Sequence, residues 1–130
     1  MPKIIFVSLL SLLLSACITH HYSPPPPRLS PRQMSELQQG KRYFEEGYYK
    51  RAMQQLLPLA CQGVAEAQYA VGYMYYYGYG VAQDTDVGYF WIKCSANQGY
   101  PPANQALIMI AQHQHANTYT ASKWLKKNSK

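Results

Sequence analysis

The sequence predicts an all-α fold: a short α-solenoid of antiparallel helix pairs, about six helices, preceded by a signal peptide and a proline-rich tether. Three observations carry this. From Met34 onward apolar residues recur at helical spacings, with Leu37, Tyr43/Phe44, Ala52, Leu56 and Leu59 on one stripe. No segment alternates apolar and polar residues as a half-buried strand does. The stretch Ala60–Gln68 repeats as Ala96–Asn104, with Gln62 and Gly63 matching Gln98 and Gly99, and Ala67 matching Ala103, a period of 36 residues. A period in this range marks stacked helical hairpins, none of which buries its apolar face alone.

The chain opens on a segment that is not part of this fold. Met1-Pro2-Lys3 gives a positive start, Ile4 to Leu14 is apolar apart from Ser8 and Ser11, and Leu14-Ser15-Ala16-Cys17 follows. An apolar run of about eleven residues suits a secretory signal and falls short of the roughly twenty that span a bilayer. The four closing residues resemble the bacterial lipobox. That resemblance implies cleavage before Cys17, lipidation of Cys17 and membrane attachment through acyl chains; an ordinary cleaved signal beside a structural cysteine is the alternative. Removal of residues 1–16 leaves 114 residues, enough for one small domain, and takes the formal charge from +6 to +5 with the loss of Lys3.

Residues 17–33 read as the lipidated cysteine and its tether. Pro24 to Pro27 and Pro31 favour an extended polyproline helix, which holds a domain up to roughly 40–50 Å from its anchor. A ligand for a partner's aromatic groove is the sharper reading of the same prolines. Residues 34–130 form the repeat domain, in units of about 34–62, 63–98 and 99–127. Helix one is expected over 33–46. Gly47 then separates two amphipathic runs, and helix two covers 49–61. Helix three covers 65–77 and ends in the loop Gly78-Tyr79-Gly80-Val81. Helix four covers 85–98, capped near Asp84 or Asp86. Gly99-Tyr100-Pro101-Pro102 breaks the chain, and helices five and six follow at 102–113 and 118–127.

In the middle unit the residues resemble a known family. Gly63, Ala65, Ala67, Gln68, Gly72, Tyr75, Gly78, Gly80, Val81 and Asp84, then Trp91, Ala96 and Gly99, carry the pattern of the Sel-like repeat, a relative of the tetratricopeptide repeat. The match covers about residues 65–100. Ser95 and Gly88 replace the usual alanines and Val71 a leucine, departures expected to weaken packing without breaking the pattern. The preceding unit, through Gly40, Tyr43, Tyr49, Ala52 and Leu56, is closer to the plain tetratricopeptide form. The following unit keeps Ala103, Leu107 and Trp124 but has His113-Gln114-His115-Ala116-Asn117 in place of the glycine loop, as degraded terminal repeats do. Lys123, Lys126, Lys127 and Lys130 suit a solvated helix end.

The resemblance implies a superhelix whose concave face binds a protein or peptide. On helix three, Ala67, Val71, Met74, Tyr75 and Gly78 face the core, while Tyr69, Tyr73 and Tyr76 lie on the opposite side. With Tyr77 they are the expected partner-binding surface unless a first-repeat helix covers them. Thirteen tyrosines in the chain, clustered between Tyr69 and Tyr79, supply interface area at small entropic cost. Tyr79 and Tyr100 are weaker candidates at the rims. Trp91, Tyr89 and Phe90 are expected to pack inside or between helices. The repeat places Cys61 and Cys94 on adjacent second helices about one turn apart, either as a disulfide in an oxidising compartment or as two free thiols.

No catalytic residue, metal ligand set or cofactor is expected. The chain has only six acids; Glu45-Glu46 reads as a solvated face, and His20-His21 and His113-x-His115 lack a further ligand at useful spacing. No nucleic-acid motif or small-molecule site is visible. The expectation is therefore a non-enzymatic lipoprotein scaffold, attached by its acyl chains and docking protein partners in an envelope or secretion assembly. A cell-wall-binding module or a host-directed virulence factor is the alternative. Ile18, in place of an aspartate after the lipidated cysteine, points to the outer membrane facing the periplasm.

Overall fold

The computed structural model describes residues 28–128. The signal segment, Cys17, His20-His21, Pro24–Pro27 and Lys130 lie outside the described residues. Within them the fold is all-helical, with five helices and no strand: α1 Pro31–Glu45, α2 Tyr49–Cys61, α3 Ala65–Tyr77, α4 Thr85–Asn97 and α5 Pro101–Asn128. Each helix packs on its neighbours in sequence: α1 on α2, α2 on α3, α3 on α4 and α4 on α5. This is the short solenoid the repeat predicts.

α1 begins earlier than the periodicity indicates. Ser30 accepts from the Gln33 backbone N–H at 3.3 Å, and the Gln33 side chain accepts from the Ser30 N–H at 2.8 Å. This reciprocal cap, with Pro31 at the first helical position, satisfies two terminal amides and starts the helix inside the expected tether. Asp84 caps α4 in the expected way, accepting from the N–H groups of Asp86 at 3.1 Å and Val87 at 3.0 Å.

The third hairpin departs from expectation. Helices five and six are one continuous helix, because residues 113–117 contain neither glycine nor proline and nothing there ends the ladder. The structure thus has five helices rather than six.

Two apolar clusters hold the array. Leu37, Ala52, Leu56, Leu59, Ala67, Val71 and Met74 join α1, α2 and α3, with Val81 and Trp91 packed against them. Ile92, Ala103, Ala106 and Ile110 join α4 to the first part of α5. Small residues set the spacing. A Cβ on Gly72 would lie 2.8 Å from the Ile92 backbone nitrogen, so α3 and α4 approach nearly to backbone contact. In the long loop, Gly80 has φ +71° and lies so close to the start of α2 that a Cβ would sit 2.9 Å from the Lys50 nitrogen. Both the dihedral and the space demand glycine.

Candidate docking groove

α3 carries Tyr69, Tyr73, Tyr76 and Tyr77 at offsets of four, seven and eight residues, one side of a 3.6-residue helix. The opposite side, through Ala67, Val71 and Met74, is fully buried. The helix is therefore amphipathic in position though not in polarity. α3 and α5 both pack on α4, and the space between them is an open groove of about 260 Å³. Its α3 wall is formed by the four expected tyrosines and its floor by Ile92. Ala106, Met109, Ile110 and His113 form the α5 wall. All four sequence-predicted residues come together, but Tyr69, Tyr73 and Tyr76 are half-buried walls rather than a bare stripe; Tyr77 alone is 48% exposed.

The tyrosines continue beyond the groove as a track of rings. Tyr100 meets Tyr69 at 5.6 Å between centroids, Tyr69 meets Tyr73 at 6.2 Å, and Tyr73 meets Tyr77 at 4.6 Å. Tyr79 stacks on Tyr49 at 4.7 Å and lies 5.9 Å from Tyr73. Phe44 of α1 packs edge-on against Tyr73 at 5.6 Å, so a first-repeat residue covers part of the stripe. Offset and edge-on pairs of this kind hold rings in place. Burial pushes the phenols of Tyr69, Tyr73 and Tyr100 above their usual range, and the Glu66 carboxylate adds to the effect at Tyr100. They are uncharged hydrogen-bonding groups at neutral pH. Sequence reading missed Phe44, Tyr49 and the α5 wall. The wall was readable as two i, i+4 pairs, Ala106/Ile110 and Met109/His113.

At the entry to this track lies a second, open depression lined by Leu29, Met34, Leu37, Lys41, Glu66 and Tyr100. The Lys41 ammonium donates to the Glu66 carboxylate at 2.7 Å, and that hydrogen bond holds the Lys41 pKa above its ordinary value.

The remaining expectations fall out differently. Trp91 packs on the first core cluster, but Tyr89 is 41% and Phe90 57% exposed, because Trp91 and Ile92 occupy the inward side of α4. Cys61 and Cys94 are two free thiols rather than a bridge. Cys61, at the end of α2, is exposed, and Cys94, on α4, is partly exposed. Among the described residues no three His, Cys, Asp or Glu side chains gather as a metal site, and no helix is long and apolar enough to cross a membrane. The groove walls offer stacking, apolar contact and phenolic hydrogen bonds.

With this geometry the glycine loop, the buried alanines and the α3–α4 hairpin coincide with one family model. Residues 65–100 match the family model of the Sel1 repeat. The match begins at the first residue of α3 and ends at the residue before α5. The Sel1 unit is thus the α3–α4 hairpin with its loop, and the groove lies where it meets α5. Chitin synthase regulatory factor 3 of Schizosaccharomyces pombe is 48% identical over 48 residues, which is 37% of this chain and 5% of that protein. The chain thus spans a small fraction of that relative. No solved structure matches the chain.

Proposed function

We propose that this chain is a membrane-anchored adaptor of a bacterial cell envelope, in which the Sel1 unit and α5 dock an extended segment of a partner protein. The observation that carries the docking role is the groove itself: four half-exposed tyrosines on one helix facing an apolar wall on another. Its volume of about 260 Å³ is smaller than that of most small-molecule pockets, while its open track suits a peptide. Rings of this kind receive proline and aromatic side chains with little loss of entropy. In support of the anchor, Leu14-Ser15-Ala16-Cys17 follows a short apolar leader, and lipidation of Cys17 places the domain at a membrane, with Ile18 favouring the outer membrane. The fission-yeast relative, a regulatory factor by name, supports a role in controlling other proteins.

Two measurements test the two halves. Fatty-acid labelling of the chain is expected to vanish in Cys17→Ala. Cross-linking in envelope extracts is expected to yield a partner that is lost, by about tenfold or more in capture, when Tyr73 and Tyr77 are both changed to alanine. Retention of every captured protein by that variant, or binding to isolated cell-wall glycan in its place, overturns the docking reading.

A further inference from the structure

Charge is placed unevenly along this chain. Residues 87–130 hold five lysines and no aspartate or glutamate, so they carry five of the six net positive charges. Lys123, Lys126 and Lys127 fall in the last turns of α5, around Trp124-Leu125. α5 packs on α4 as far as Ile110, and residues 111–126 are exposed throughout. At about 1.5 Å per residue, Trp124 stands about 20 Å beyond Ile110 along the helix. On this arm Tyr119 is 69%, Trp124 65% and Leu125 62% exposed, the three most exposed large apolar side chains among the described residues. Ala121, Trp124 and Leu125, at offsets of three and four, share one side of the helix. Tyr119, Lys123 and Lys126, at offsets of four and seven, share another. Leu125 borders the lysines in an open depression lined also by Tyr119.

We propose that this end of α5 binds an anionic phospholipid surface, with Trp124 and Leu125 entering the interface and the lysines resting among the phosphate headgroups. Three features fit. The first is the apolar pair: an indole ring settles at a membrane–water boundary, and leucine gains by leaving water. The second is charge. Ammonium groups are drawn to anionic headgroups, and α5 holds no carboxylate to cancel their field. The third is reach: long lysine stems keep the charge in the headgroup layer while the helix settles against the acyl boundary. α5 is not apolar enough to cross a membrane, so the contact is with the surface. A stable protein interface takes about 800 Å² per partner, more than two helical turns present, whereas a bilayer takes up single side chains. A nucleic acid would match the lysines but leave Leu125 without a counterpart. The tyrosine groove, lined by no lysine, arginine or carboxylate, is a separate face and stays open to a partner while the arm is bound.

The test uses the chain from residue 17 with Cys17→Ser, which keeps all five helices and has neither leader nor acyl group. Its result is therefore separate from fatty-acid labelling and from partner capture. Sedimentation with vesicles of phosphatidylcholine and phosphatidylglycerol is compared with phosphatidylcholine alone, and binding is expected to the first and not the second. Each lysine at an anionic surface strengthens binding about fivefold, so Lys123→Gln, Lys126→Gln and Lys127→Gln together should weaken it about a hundredfold. Trp124→Ser with Leu125→Ser keeps the lysines and should weaken it by at least about tenfold. All five positions lie beyond the residues of α5 that pack on α4. The mixed vesicles should also slow amide exchange at residues 116–126 by at least about tenfold, with residues 105–110 unchanged. Equal sedimentation with the two kinds of vesicle, undiminished binding in either variant, or unslowed exchange overturns the inference. Protection of residues 116–126 that grows with protein concentration in the absence of lipid also overturns it, and assigns the arm to a second copy of the chain.

Discussion

Gly88 occupies a place where this repeat usually has alanine, and the structure reverses the reading that its absence loosens the fold. A Cβ at position 88 would lie 2.6 Å from the Tyr76 nitrogen and 2.7 Å from its Cα, both backbone atoms that cannot step aside. The missing methyl lets α4 press against α3 directly behind the tyrosine wall. Ser95, the other replaced alanine, is fully buried and donates from Oγ to the Ala65 carbonyl at 2.7 Å, tying α4 to the first turn of α3. Neither departure weakens the interface: one removes bulk and the other adds a hydrogen bond. Helix propensity alone makes Gly88→Ala stabilising by about 1 kcal/mol. Overpacking against backbone costs typically about 1–3 kcal/mol and more when nothing can move. The clash wins, and Gly88→Ala is expected to lower stability by about 1–2 kcal/mol in urea denaturation. A variant more stable than the parent would show that α3 and α4 have room between them.

The helix is the scale at which the sequence was most and least legible. α2 and α3 fall on their predicted bounds because glycine ends the chain segments on either side, at Gly47, Gly63 and Gly78, and each has a positive φ. The tyrosine stripe was legible because it follows directly from helical phase. The groove was not, since its second wall depends on where α5 lies, a tertiary fact without local signal. The start of α1 was written in Ser30-Pro31-Arg32-Gln33, a capping pattern concealed among tether prolines. The division of α5 into two helices rested on the expected symmetry of the repeat, and residues 113–117 contain no breaker to enforce it. That long helix has an energetic consequence. Ala103, Ala106 and Ile110 are buried against α4, whereas residues 111–126 are exposed throughout. An isolated helix of about this length is marginal in water. Backbone amides of residues 116–126 are therefore expected to exchange with solvent at least about a hundredfold faster than those of residues 105–110, read by hydrogen exchange with mass spectrometry. Uniform protection along α5 would mean that the outer half is covered, by a fold-back or by another molecule.

For the molecule as a whole, the groove and its entry bring together four groups that hold their protons more tightly than usual. Tyr69, Tyr73 and Tyr100 are raised by burial, and Lys41 by its hydrogen bond to Glu66. In the unfolded chain these groups lose protons near their ordinary values of about 10 for tyrosine and about 10.4 for lysine. The folded chain keeps them to higher pH, so above about pH 9 the native state binds more protons than the unfolded state, and stability falls as pH rises. Below that range both states are fully protonated at these groups and they contribute no slope. The urea midpoint is therefore expected to be flat from these groups' titration between pH 7 and 9 and to decline between about pH 10 and 11. The groups are partly solvated and the Lys41–Glu66 pair is a surface one, so the decline is gradual and the ion pair supplies at most about 1 kcal/mol of it. In phenolate absorbance Tyr69, Tyr73 and Tyr100 should ionise above the ordinary tyrosine range. Tyr69→Phe should flatten the alkaline slope with little change at neutral pH, since it keeps the ring contacts and removes the titrating oxygen. An unchanged slope in Tyr69→Phe would place the alkaline sensitivity elsewhere, and ionisation of Tyr69, Tyr73 and Tyr100 within the ordinary tyrosine range would show that these rings are open to water.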